Sequence, residues 1–344
     1  MKDMTLKQQG LPSYAVGCVS YWSFLPLVTE LRRTPGLLDL RIDHPSHLCS
    51  LVEEQDLDLG FCSVTSLATR SDLELALPLG EAIYGSYGPA YISLCESGPD
   101  MQKEIEQRLA AVKEVFQQFS IQNGCDSSLS VDALWDALRN LEKSWTRLAP
   151  DLKLCGTKAS AYTSLGKLIY RILFGEAAWE SLDIQGGSSQ FSASGASLEL
   201  RCGNEAMTKR CCHAYTLDLV DTWYNLTHLP FVPHVLLKSQ RLHLTQNTKN
   251  QILKASELAQ AKMHVEPATY LPDLQPVNQH GNIIDLGMIW KHVSYRLNSD
   301  CLKSVRLFLQ LVRPFEKRRD TDESFRLKMI RWQQREADAV SYLV

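Results

Sequence analysis

A chain of 344 residues is longer than one compact core usually holds, so two lobes or domains are expected. With 36 Lys+Arg against 39 Asp+Glu, a formal net charge of −3, the chain offers no broad electrostatic footprint for nucleic acid or an anionic membrane. Apolar runs stop well short of the roughly 18 residues of a membrane span. The opening MKDMTLKQQG has no apolar signal core, and 10 Cys without a C-x-x-C suit neither a disulfide framework nor a zinc site, so a cytoplasmic protein with reduced thiols is expected.

In chain order, AVGCVSYW from Ala15 reads as a short buried strand, and SFLPLVTELRR as a turn and a helix with Ser23 near its cap and Pro26 in its first turn. LLDLRI is a second strand, HPSHLCSLVEE a short helix and LDLGFCSV a third strand. Strands alternating with short helices predict a parallel α/β sheet. GEAIYGSYGPAYISLCES predicts a glycine-containing loop and a strand that crosses to a second lobe. Residues 101–119 and 131–148 each place apolar side chains on one helical face, giving a helical hairpin near 98–150 whose apolar faces are expected to be core rather than a partner surface.

LKLCGTKASAYTSLGKLIYRILFG then reads strand, loop, helix, and LELRCGNEAM strand and turn. DLVDTWYNLTHLPFVPHVLL is a helix, a tight turn and an apolar strand. Two further helical stretches are expected near 247–262 and 285–312, before a charged helical tail over 311–344. The expected division is 14–93 with 233–310 in one lobe and 94–232 in the other.

The common motifs are absent: there is no Walker loop, no dinucleotide-binding glycine pattern, no H-E-x-x-H and no G-x-S-x-G. No His/Cys/Asp cluster has metal-ligand spacing, so no metal is expected. His228 and His234 stand in a distinctive segment, but a lone His there reads as structural. What remains is a set of hydroxyl-bearing turns: Ser23 after the first strand, Ser86 in G-S-Y-G, and Thr163-Ser164 before a helix. Such turns at the carboxyl ends of strands suit carboxylates or phosphates, because helix N-termini present unpaired N–H groups. Each also reads simply as a helix cap.

Seven segments, in order from about residue 14 to 310, resemble those of the menaquinone-biosynthesis chorismate dehydratase family. VSYWSFLPL resembles its V-x-Y-x-N-x-x-P-L, LDLGFCSVTSL its D-x-G-L-x-P, and YGSYGPAYISL its G-[AS]-x-G-x-V-x-S-V. AYTSLGKLIYRIL is similar to S-R-T-S-x-x-L-x-x-x-L, and LELRCGNEAM to A-L-L-I-G-D-x-A-L. DLVDTWYNLTHLPFVPHVLL resembles D-L-x-x-x-W-x-x-x-T-G-L-P-F-V-x-A-x-W, and YLPDL with VSYRLNSDCLKSVRLF the closing Y-L-x-x-x-x-Y-x-L.

The resemblance implies a type-2 periplasmic-binding-protein-like fold, with two α/β lobes around a ligand cleft. It also implies a cofactor-free lyase that removes water from chorismate to give 3-[(1-carboxyvinyl)oxy]benzoate in the futalosine route. Carried onto this chain, the pattern marks Ser23 as catalytic, orienting or hydrogen-bonding the substrate rather than abstracting its proton, and Tyr21, Ser86, Gly88, Thr163, Ser164 and Asn204 as substrate-binding. Ser23 stands where the pattern has Asn, Ala161-Tyr162 replace Ser-Arg, Asn204 replaces Asp and His228 replaces Gly. None of these carried site positions is a His, Asp, Glu or Lys, which predicts a weak base such as a carboxylate of the substrate itself. Two alternatives stay open: a non-catalytic small-carboxylate binder of the same fold, and the sister 1,4-dihydroxy-6-naphthoate synthase, whose S-P-C-P-N-D-T opening is missing here.

Overall fold

The computed structural model describes residues 14–34, 38–85, 89–94, 99–122, 131–145, 151–155, 161–175, 197–209, 215–271 and 276–313. The amino-terminal part runs β1 (Tyr14–Val19), α1 (Leu25–Arg32), β2 (Leu38–Asp43), α2 (Pro45–Glu53), β3 (Leu59–Ser63), α3 (Ser66–Thr69) and β4 (Leu73–Ile83). β1 pairs in parallel with β2 and β3. Helix α2 lies very close to these strands because they carry glycine where it crosses. A Cβ on Gly17 would come within 2.5 Å of Leu48, and one on Gly60 within 2.8 Å of Val52.

The sheet is not the parallel one that the alternation predicts. β9 (Phe231–Ser239), far along the chain, enters between β3 and β4 and runs antiparallel to both, and β10 (Val293–Arg296) adds an antiparallel edge. The order is β10-β4-β9-β3-β1-β2, a mixed sheet of six strands. The physical reason is connectivity: the chain returns from the second lobe directly into a strand, so no crossover helix enforces parallel pairing.

The second sheet has four strands in the order β6-β7-β5-β8. Its elements are β5 (Ala90–Leu94), α4 (Pro99–Gln122), α5 (Val131–Glu142), β6 (Asp151–Cys155), α6 (Ala161–Phe174), β7 (Ser197–Cys202), α7 (Gly203–Lys209), β8 (Thr216–Asp218) and α8 (Leu219–Thr227). All of β5 belongs here, so the first crossing falls between Ile83 and Ala90 rather than after residue 93. The return crossing lies between Thr227 and Phe231, and His228 takes a left-handed conformation there (φ 55°) that ends α8.

The α4–α5 hairpin is core. Ile105, Val112, Phe116, Leu134, Trp135 and Leu138 are buried. Buried Arg108 donates to the carbonyl of Leu173 at 2.8 Å and lies 4.9 Å from the centroid of the Trp145 ring.

The carboxyl-terminal part carries α9 (Gln246–Val265), the short α10 (Leu286–Trp290), β10 and α11 (Ser299–Val312). The single helical stretch expected over 285–312 is therefore broken by a strand. Val293 and Tyr295 point inward and Ser294 and Arg296 outward, a two-residue alternation over four residues that helical periodicity obscures. Helix α11 packs on β9 and also on α5 and α6, joining the two halves. The tail expected beyond residue 313 lies outside the described residues. Among the described residues, no helix is long and apolar enough to cross a membrane.

Candidate functional site

The turn after β1, from Ser20 to Phe24, is where the first lobe meets the second. It is braced at nearly every peptide group. The side chain of Asn204, at the start of α7, accepts from the Trp22 N–H at 3.0 Å and donates to the Ser20 carbonyl at 3.1 Å. Trp290 Nε1 donates to the Trp22 carbonyl at 3.0 Å, and the Tyr295 hydroxyl donates to the Ser23 carbonyl at 2.6 Å. The Phe24 N–H closes the turn onto the Tyr21 carbonyl at 3.0 Å. Gly203, at φ 70°, lets the Tyr21 ring press on the start of α7, where a Cβ would come within 2.9 Å of that ring.

Beneath this turn lies a cluster that sequence reasoning missed. Glu81 on β4 and His234 on β9 are directly opposite in the antiparallel register, and both side chains are fully buried. The His234 Nδ1 to Glu81 Oε2 distance is 2.7 Å, and the Tyr162 hydroxyl donates to the same oxygen at 3.5 Å. The β4–β9 register shifts on both sides of Gly80–Glu81, an irregularity that re-aims a side chain. The His234 ring is walled by Tyr21 at 5.4 Å, Phe24 at 5.6 Å and Tyr162 at 5.8 Å between centroids. Tyr162 belongs to the second lobe, whereas the other two belong to the β1 turn.

Three buried polar atoms around this point have no hydrogen-bond partner: Ser23 Oγ, Glu81 Oε1 and His234 Nε2. Buried polar groups are normally satisfied, so these three atoms are left able to hydrogen-bond a water or a polar ligand. Burial first, then the nearby Glu81 charge and the Tyr21 hydroxyl, hold the Tyr162 hydroxyl well above the usual tyrosine range. Burial, Cys202 and Glu81 do the same to Tyr21. Both phenols thus remain donors at any physiological pH.

The expected site residues fall as follows. Tyr21, Ser23 and Asn204 converge at the lobe junction, with Asn204 committed to backbone rather than presented as a free amide. Thr163 and Ser164 are buried in the first turn of α6, and Thr163 hydrogen-bonds the Cys202 thiol, which burial pushes up to about 12. Ser86 and Gly88 lie outside the described residues. Glu81 and His234 did leave a signal in the sequence: each is a charged or titratable residue inside an apolar strand run, LALPLGEAI and FVPHVLL. Among the described residues, no group of three or more His, Cys, Asp or Glu is placed to hold a metal ion.

No protein-family model matches the chain, and no curated protein does. Among solved structures, it resembles protein AF1704 of Archaeoglobus fulgidus, with a TM-score of 0.52 and 11% identity over 88% of this chain and 97% of that one. It also resembles the Candida albicans CA3427 gene product, with a TM-score of 0.51 and 9% identity over 93% of this chain and 95% of that one. The latter is described as having the generic periplasmic-binding-protein fold. At such identities the likeness speaks of fold alone, and the fold of this chain is the periplasmic-binding-protein fold.

Proposed function

We propose that this chain is a chorismate dehydratase that binds chorismate between its lobes and eliminates water to give 3-[(1-carboxyvinyl)oxy]benzoate, a step toward menaquinone. The observation that carries this reading is the junction itself. The turn holding Tyr21 and Ser23, where the resemblance to that family places the reaction, meets α6 and α7 of the other lobe directly above a buried, partly unsatisfied Glu81–His234 pair. Aromatisation of the ring drives the elimination, so the site needs chiefly to orient the substrate and exclude water. A turn braced by Asn204, Trp290 and Tyr295 supplies the orientation. The first turn of α6, with Thr163 and Ser164, offers helix N–H groups to a carboxylate.

The test is direct. Purified protein incubated with chorismate should consume the diene and release the aromatic ether, with no added metal or cofactor. If chorismate neither binds nor changes, the reading fails. One observation favours a second reading, a non-catalytic small-carboxylate binder: the Ser23 hydroxyl is buried and Asn204 spends both ends of its amide on backbone. Saturable chorismate binding without product would decide for the binder.

A further inference from the structure

The family resemblance marks no protein base, and the matched positions supply none. The fold supplies one from elsewhere. We propose that His234 is the proton acceptor for the ligand in the cleft, with Glu81 as the residue that positions it. This rests on the dehydratase reading and adds to it the group that moves the proton. A carboxylate can only accept, so the 2.7 Å contact puts a proton on Nδ1, and in the neutral imidazole the lone pair then lies on Nε2. That Nε2 is one of the three buried atoms without a partner. The rings that cover it come from both sides of the lobe junction, Tyr21 and Phe24 from one lobe and Tyr162 from the other. For a ligand between the lobes to reach Nε2, Tyr162, which belongs to the second lobe, would have to move aside. The resemblance pattern itself has Ala where His234 stands, so the dyad is a feature of this chain.

In the step, Nε2 takes the proton from the ring carbon that bears the enolpyruvyl ether. The C–H electron pair becomes the last ring double bond, and the C–O bond to the adjacent hydroxyl breaks with its pair. The proton on Nε2 then passes to the departing oxygen, which leaves as water. The dyad returns to its starting state, and no oxidant or reductant is consumed. Glu81 holds the imidazole in the required tautomer and stabilises the transient imidazolium. The other titratable groups that face the dyad are Tyr21, Tyr162 and Tyr295, with His44 at the start of α2 within electrostatic reach of His234.

Two measurements test this. In the unmodified protein with 15N-labelled histidine, His234 should show a protonated Nδ1 and a bare Nε2, and the Nε2 signal should shift when the product 3-[(1-carboxyvinyl)oxy]benzoate binds. In kinetics, His234→Asn should lower kcat on the order of 10²–10⁴-fold with KM changed only a few-fold. Glu81→Gln should lower kcat less than His234→Asn, again with KM changed only a few-fold, and should abolish the defined Nδ1–H signal of His234 while the protein stays folded. A purely structural pair would lower stability without splitting kcat from KM. An inactive parent sinks the dehydratase reading and this inference with it. An active parent whose folded His234→Asn variant keeps kcat within threefold, or a His234 signal indifferent to product, overturns the inference alone.

Discussion

Asn204 shows how one amide can do what its acidic counterpart cannot. Its oxygen accepts from the Trp22 N–H and its nitrogen donates to the Ser20 carbonyl, so the two backbone partners also fix which end is which. The dehydratase pattern carries Asp at this position. An Asp here would keep the first bond but set a carboxylate oxygen against the Ser20 carbonyl. We therefore expect Asn204→Asp to destabilise the protein by about 1 kcal/mol near neutral pH, in line with one lost and one repulsive contact. The loss should shrink as pH falls and the carboxyl regains a proton to donate. Urea unfolding at several pH values checks this, and a variant as stable as the parent at pH 7 would show that the clasp contributes nothing. The residues of this junction were unevenly legible in the sequence. Ser23 could be picked out because it sits at a strand-to-helix turn, and Tyr21 and Asn204 because the family resemblance marks their positions. Glu81 and His234 could not be paired, because 153 residues separate them and only the entry of β9 beside β4 sets them opposite one another.

At the level of elements, the amino-terminal alternation of strand and helix was readable because each segment carries its own punctuation: Pro26 in the first turn of α1, glycines where α2 crosses the strands, Asp218 capping α8 with bonds from Val220 and Asp221. The stretch from 285 to 312 misled because Leu286, Ile289, Trp290, Val293, Leu297 and Cys301 continue a helical spacing through what is a strand. The overlooked signal was Asn298, whose side chain accepts from the Cys301 N–H at 3.0 Å and starts α11 afresh. If that cap is what separates strand from helix, Asn298→Ala should lower stability by about 1 kcal/mol, while Asn298→Asp, which can still accept, should lie within a few tenths of the parent. The midpoints of guanidinium unfolding distinguish the two. Equal losses in both variants would assign the effect to the second bond, from the Asn298 amide to the Tyr84 hydroxyl, instead of the cap.

For the whole molecule, the question is what holds together two sheets joined by two short crossings. Beside the ring contacts of Tyr21 and Tyr162, the described polar contacts between lobes are few: the Asn204 clasp, the Tyr162–Glu81 bond and one backbone bond from Gln279 to Thr208. Such bonds hold little, since a typical intramolecular hydrogen bond contributes only about 0.5–1.5 kcal/mol. The apolar link is α11. It follows β10 of the first sheet yet lies against α5 and α6 of the second lobe and across β9. At its centre Phe308 stands edge-on to Phe231 at 5.1 Å and to Trp223 at 5.7 Å, and the Trp223 Nε1–H donates to Ser304 at 3.1 Å. Phe231 opens the strand that returns to the first sheet, and Trp223 sits on the last helix of the second lobe, so Phe308 touches both sides of the return crossing. Truncating it should cost about 3–5 kcal/mol, as large-to-small changes at fully buried aromatic sites do. If α11 is what couples the lobes, Phe308→Ala should do more than lower the transition temperature. It should split a single calorimetric transition into two, with near-UV and far-UV probes no longer coincident. A variant that unfolds at lower temperature but still in one step, with calorimetric and van't Hoff enthalpies equal, would place the coupling in the polar cleft contacts instead and make the Asn204 clasp the element that ties the lobes together.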